Sequence, residues 1–187
     1  ADLRPDEHVV DIGCGTGTLT VMAKQKMPQA LVFGLDADKQ ALQIAKNKAL
    51  KAKWNITYIQ SLANKMEFAD NTFDCVFSSL FFHHLLWQDK LSVGLEIYRI
   101  LKPGGRFILS DWGIPSNRLM QSLYKPVQWL DGYGNTQDNA DGRLSTMLSM
   151  CGFEETHPIA NHNTLFGTLS LFVARKKIQK TIAESDL

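Results

Sequence analysis

The chain has 187 residues, enough for one domain whose core needs no covalent staples. A formal net charge of +1 lacks the basic footprint of a nucleic-acid binder. No apolar run approaches the ~20 residues of a membrane span, and no signal peptide is legible. Cys14, Cys75 and Cys151 are scattered and odd in number, which suits reduced thiols in a cytoplasmic compartment and offers no metal-ligand spacing, so no metal centre is expected.

In chain order, Val9-Val10-Asp11-Ile12 reads as a buried strand, and Gly13, Gly15 and Gly17 follow it. A helix from Leu19 to Met27 comes next, with Thr16 or Thr18 as its expected cap and Pro28 at its end. A second strand, Leu31 to Leu35, ends in Asp36. An acid at that place, about 20 residues after the glycines, holds a ribose diol in βαβ nucleotide sites. Dinucleotide sites favour Gly-x-Gly-x-x-Gly, but Thr18 stands where the last glycine would fall. Asp11 would also repel a pyrophosphate, and it suits a ligand whose near end is cationic.

Asp38 can cap a helix carrying the stripe Ala41, Leu42, Ala45 and Ala49. Ile56 to Ile59 and Phe73 to Ser78 read as strands three and four. Leu91, Leu95, Tyr98 and Leu101 space as a helix, stopped by Lys102-Pro103-Gly104-Gly105 before a fifth strand, Arg106 to Ser110. Residues 112–142 break the rhythm. They hold Trp112, Tyr124, Trp129 and Tyr133 among polar residues and read as a lid over the sheet's carboxyl edge. Leu144, Met147, Leu148 and Cys151 repeat as a helix closed by Gly152. Phe153 to Ile159 and Leu165 to Ala174 are the last strands. The short link Ala160 to Thr164 makes them antiparallel. Arg175, Lys176, Lys177 and Lys180 read as a solvated tail. The expected fold is a three-layer α/β/α sandwich in one domain.

Asp11-x-Gly13-x-Gly15-x-Gly17, with Asp36 after the second strand, resembles the first two motifs of class I S-adenosylmethionine-dependent methyltransferases. Phe73-Asp-Cys-Val-Phe-Ser-Ser, His83-His84-Leu85 and Leu101-Lys-Pro-Gly-Gly resemble the small-molecule branch that includes ubiquinone and menaquinone biosynthesis. The resemblance covers nearly the whole chain. It implies a seven-stranded, mostly parallel sheet of order 3-2-1-4-5-7-6 with strand 7 antiparallel. It also implies S-adenosylmethionine as cofactor, S-adenosylhomocysteine as product and a small-molecule acceptor. Relatives usually carry helices ahead of the first strand. Here the chain begins at Ala1, which is not an initiator methionine, and such cap helices are expected to be absent.

The site residues follow from that resemblance. Gly13, Cys14, Gly15 and Gly17 admit the cofactor, Asp36 with Ala37 holds the ribose, and Asp11 with the Ser78 carbonyl receives the methionine end. The third family motif is poorly matched, with Leu62 where relatives often place an adenine-binding Asp, so the backbone of Leu62 and Ala63 is left to meet the adenine. His83 is the candidate catalytic base, and Asp111 a candidate substrate contact. A macromolecular methyltransferase, a truncated or non-catalytic cofactor-binding domain and a Rossmann oxidoreductase are the alternatives.

Overall fold

The structure, a computed structural model, describes residues 4–178. Seven strands form one sheet in the order 3-2-1-4-5-7-6. β1 (His8–Ile12), β2 (Leu31–Asp36), β3 (Thr57–Gln60), β4 (Phe73–Ser79) and β5 (Leu101–Trp112) run parallel, while β7 (Gly167–Arg175) pairs antiparallel with β5 and with β6 (Pro158–Thr164). Because β1 and β4 are covered on both faces, they carry continuous apolar runs rather than alternation. Val10, Ile12, Val76 and Phe107 pack toward α3 (Trp87–Ile100) and α6 (Arg143–Met150). Val9, Cys75 and Phe77 pack on the opposite side with Ala23 of α1 (Thr18–Lys26).

Asp38 caps α2 (Lys39–Lys51) as expected, its Oδ1 accepting from Gln40 N at 2.7 Å and Ala41 N at 3.3 Å. Such a cap contributes ~1 kcal/mol. The start of α1 differs from expectation. Its N-cap is Gly17 in the left-handed region, with no side-chain cap. Thr16 and Thr18 instead receive hydrogen bonds from Lys48 Nζ, at 3.4 and 2.6 Å, and so tie the glycine loop to α2.

Three expectations are corrected. β5 starts at Leu101, immediately after α3, because Leu101 already pairs with Phe73; the register then shifts, with Gly104 at a φ of +77°, and resumes at Arg106 opposite Cys75, while Lys102 Nζ clasps both Asp74 oxygens at 2.8 Å. The last hairpin is shifted. Residues 160–164, expected as a link, are strand, and the turn is Leu165-Phe166 between Thr164 and Gly167. Asn-His-Asn-Thr carries no apolar alternation because β6 is an exposed edge, held by Ser170 Oγ to Asn161 Oδ1 at 2.6 Å and Thr168 Oγ1 to Asn163 Oδ1 at 3.0 Å. The basic cluster is built into the fold only in part, since Arg175 and Lys177 are exposed as expected. Arg175 pairs with Glu155, and Lys176 Nζ donates to Asn71 Oδ1 and Leu101 O. Lys180 and Ala1 lie outside the described residues.

The insertion is helical: α4 (Arg118–Asp131) and α5 (Tyr133–Ala140) lie across the carboxyl end of β5, and α4 also across the amino end of the antiparallel β7. Its aromatics divide. Trp112 and Tyr124 are buried together, while Trp129 and Tyr133 are exposed. No helix among the described residues is long and apolar enough to cross a membrane.

Candidate functional site

Gly13 N and Cys14 N both donate to Leu35 O, at 2.9 and 3.0 Å, so the loop after β1 is clipped to the tip of β2. Asp36 completes the clip. Its Oδ2 accepts from Gly15 N at 2.7 Å and its Oδ1 from Asp38 N at 2.9 Å. Each oxygen keeps a lone pair for a further donor, such as a ribose hydroxyl.

The three glycines serve different ends. A Cβ on Gly13 would lie 2.4 Å from Phe81 Cγ, so this glycine admits a phenylalanine ring of the protein itself. A Cβ on Gly17 would meet Ala45 and Tyr58 at 2.7 Å, which lets the loop close on α2. Only Gly15 faces open space. Gly17 thus serves the packing of the loop on α2, while Gly13 makes room for Phe81 and still lines the cavity described next.

A cavity of about 320 Å³ opens beside this loop. That falls within the size range of small-molecule pockets. Gly13, Asp36, Ala37, Leu62 and Ala63 line it, as expected, together with Asn64, Phe81, Leu85 and Asp89, which sequence reasoning missed. The charged residues in its lining are Asp36 and Asp89, both acids. A wall with carboxylates and no basic side chain repels a diphosphate and suits a neutral or cationic ligand. Asn64 Oδ1 is buried without a partner and offers an acceptor to an amine, the group that Leu62 cannot serve by side chain. Asn64 sits two positions beyond the place where the family motif puts its acid.

Four expected residues sit behind this cavity. Asp11 is 2% exposed, and its Oδ2 accepts from Thr20 Oγ1 at 2.6 Å. Burial pushes its carboxyl up to about 7, with Asp36 adding to the effect and Thr20 opposing it. Cys14 is buried against Gly34, and burial, followed by Asp11 and Asp36, raises its thiol far above the ordinary range. Gly17 is the helix cap described above. Ser78 donates from Oγ to Ile12 O at 2.7 Å and lines a different, apolar hollow of about 470 Å³ between α1 and the sheet.

A second constellation follows β4. Phe82–His84 form a short 3-10 turn whose backbone is gathered by one residue, Asp111. Asp111 is fully buried, which corrects its expected role as a direct substrate contact. Its Oδ2 accepts from Phe81 N, Phe82 N and His83 N at 3.1, 2.8 and 3.4 Å, while its Oδ1 accepts from Trp112 N at 2.7 Å and Asn139 Nδ2 at 3.3 Å. His83 Nδ1 lies 2.7 Å from the same Oδ1. With all its other partners donors, Asp111 accepts a hydrogen bond from Nδ1–H, which leaves Nε2 as the nitrogen that carries the lone pair in the neutral tautomer. Nε2 faces Asp131 Oδ2 at 3.6 Å, at the end of α4. His84 stacks beside His83 with ring centroids 4.0 Å apart, and burial and then His83 lower its pKa.

A mostly parallel α/β sheet of this order with an antiparallel β7, and an acid-lined cavity at the carboxyl ends of β1, β2 and β4, defines a class I methyltransferase fold. Residues 9–105 match the family described as methyltransferase domain. The chain belongs to that family, the class I S-adenosylmethionine-dependent methyltransferases. It is similar to an uncharacterized methyltransferase of Synechocystis sp., 33% identical over 178 residues, covering 92% of this chain and 77% of the relative. It is 34% identical over 121 residues to the demethylmenaquinone methyltransferase of Symbiobacterium thermophilum, covering 63% of this chain and 47% of that enzyme. The chain therefore spans about half the length of that relative. Among solved structures, a SAM-dependent methyltransferase of Methanosarcina mazei has the same fold, with a TM-score of 0.77 at 20% identity over 95% of both chains. The cofactor of the family, S-adenosylmethionine, fits the cavity on two counts, an acidic wall and the orphaned Asn64 acceptor, whereas Gly15, expected in the site, is not in its lining.

Proposed function

We propose that this domain transfers a methyl group from S-adenosylmethionine to a small-molecule acceptor at the tips of β4 and β5. The observation that carries this reading is the pairing of an acid-lined nucleoside cavity with the His83–Asp111 dyad on the adjoining turn. When bound, the cofactor supplies an electrophilic methyl on a sulfonium. Asp36 accepts from the ribose hydroxyls, with Ala37 beside it. Asn64 Oδ1 and the backbone of Leu62 and Ala63 meet the adenine edge. Asp36 and Asp89 favour the positive charge in the cavity. Asp11, Cys14, Gly17 and Ser78 act from behind, holding the loop and the strand tips in place.

Phe81 packs over Gly13 and lines the cavity at its junction with the turn. The Nε2 lone pair of His83 is placed to take a proton from the acceptor or to hold it in line. Such a base contributes about 10²–10⁴-fold, with positioning as the other large contribution.

Two observations support a small, apolar acceptor. The near-neutral charge gives no purchase on nucleic acid. Leu86, Trp129, Leu130 and Tyr133 are exposed on the segments that carry His84 and Asp131. The names of the quinone-pathway relatives, demethylmenaquinone and ubiquinone/menaquinone C-methyltransferases, support a planar ring. The test is incubation with methyl-labelled S-adenosylmethionine and a cell extract separated by size. Label is expected in the low-mass fraction; label in protein or RNA contradicts the reading.

A further inference from the structure

Asp131, the last residue of α4, returns to the turn that carries His83 and His84. Its Oδ2 lies 3.6 Å from His83 Nε2 and its Oδ1 3.8 Å from His84 Nδ1. One ligand atom from each of the three residues fits within a span of 4.8 Å. In a tetrahedral site with bonds of about 2.0–2.1 Å, ligand atoms stand roughly 3.3 Å apart. Rotation of the side chains that closes the widest of these separations, by at most about 1.5 Å, brings the three atoms into range of one ion.

We infer that His83, His84 and Asp131 form a site for a divalent transition-metal ion of the zinc class. Imidazole and carboxylate select this class over magnesium or calcium, which take oxygen ligands. Three further features agree. His83 Nδ1 is already committed to Asp111, the outer carboxylate that fixes the tautomer and ring orientation of a metal-ligating histidine. Asp111 is itself held by four backbone N–H groups, so the His83 ring is placed before any ion arrives. The carboxyl end of α4, which carries partial negative charge, lies at the site and favours a cation.

The side chains of His84 and Asp131 are 52% and 27% exposed, against 5% for His83. The site therefore has one buried anchor and an open side. Three protein ligands with an open position are the arrangement of a catalytic rather than a structural zinc. The sequence carries no metal-ligand spacing here, because adjacent histidines become convergent only when α4 folds back over them.

The consequence for chemistry rests on the methyl-transfer reading, whereas binding of the ion does not. An acceptor hydroxyl on the open position would lose its proton to solvent. Its oxygen would then attack the methyl carbon as the carbon–sulfur bond breaks and its electron pair stays on the thioether sulfur. His83 then serves as ligand rather than base, using the same lone pair.

The test uses the full chain without an affinity tag, stripped by chelator and retained in fold by circular dichroism. Titration with Co²⁺ is followed by visible absorption, and titration with Zn²⁺ by calorimetry. The expected result is one ion per chain with micromolar or tighter affinity, weakened at least tenfold in both His84→Ala and Asp131→Asn. Circular dichroism of both variants checks that folding is retained. No stoichiometric binding, or affinity unchanged in both variants, overturns the inference. S-adenosylmethionine binding, measured on the same samples and expected to be unchanged in both variants, separates this failure from failure of the methyl-transfer reading.

Discussion

His83 Nδ1 stands 2.7 Å from Asp111 Oδ1, and the two residues are 4% and 0% exposed. The imidazole is thereby fixed in one tautomer, with its other nitrogen directed at Asp131. This buried pair connects strand β5 to the turn after β4 and joins the scaffold to the chemistry.

Replacing His83 by Asn is expected to lower kcat by about 10²–10⁴-fold. The KM for S-adenosylmethionine should stay within a few-fold, because His83 does not line the nucleoside cavity. Steady-state kinetics on an identified acceptor check this. A rise in KM with kcat unchanged would place His83 in cofactor binding instead.

Asp111→Ala removes the acceptor of four backbone N–H groups and of the His83 ring together. Buried donors left without partners cost ~1–3 kcal/mol each in the worst case. A loss of about 3–5 kcal/mol in urea unfolding is the expected outcome. A loss below about 1 kcal/mol would mean that water replaces the carboxylate.

Asp11 links stability to pH. Its carboxyl, ordinarily near 3.8, is pushed up to about 7 by burial. The folded chain therefore binds more protons than the unfolded chain between these values. The contribution is present below about pH 4 and is lost as pH rises through about 7. The full loss is about 4 kcal/mol at most. Asp11→Asn should flatten the pH dependence of the urea midpoint between about pH 4 and 7 and should stabilise the protein at the upper end. An unchanged slope would contradict the burial of an ionisable Asp11.

Gly13→Ala would set a Cβ against the Phe81 ring at a position with φ of +69°. The expected loss is about 1–3 kcal/mol. Gly15→Ala, with open space around it and φ of +51°, should cost only about 1 kcal/mol from backbone strain. Phe81→Ala should recover part of the Gly13→Ala loss, so a double-mutant cycle on thermal unfolding measures the contact. Full additivity would show that the ring does not rest on the glycine.

The sheet was readable because buried parallel strands carry uninterrupted apolar runs, as in Val9 to Ile12, and because Asp36 and the glycines mark strand ends chemically. The edge strand β6 was misplaced since its exposed polar residues carry no period to read. In the site, residues fixed by local chain geometry were legible: Gly13, Asp36, Ala37, Leu62 and Ala63 all reach the cavity. Phe81 and Asp89 were not, because only the packing of the 3-10 turn and α3 against the loop brings them there, and Asn64 was missed because the motif pointed to Leu62, two positions earlier. Asp131 stands farthest from legibility. Its meeting with His83 and His84 depends on how α4 crosses the sheet edge, and no spacing in the chain encodes that.

The central claim is that Asp36 holds the ribose of a phosphate-free nucleoside at the tip of β2. Calorimetric titration of the chain and of Asp36→Ala with S-adenosylmethionine and, separately, with NAD tests it most directly. Wild-type binding of S-adenosylmethionine at 1:1, weakened at least tenfold in Asp36→Ala, with no heat from NAD, is the expected result. Binding of NAD, or affinity for S-adenosylmethionine unchanged by the substitution, would contradict it.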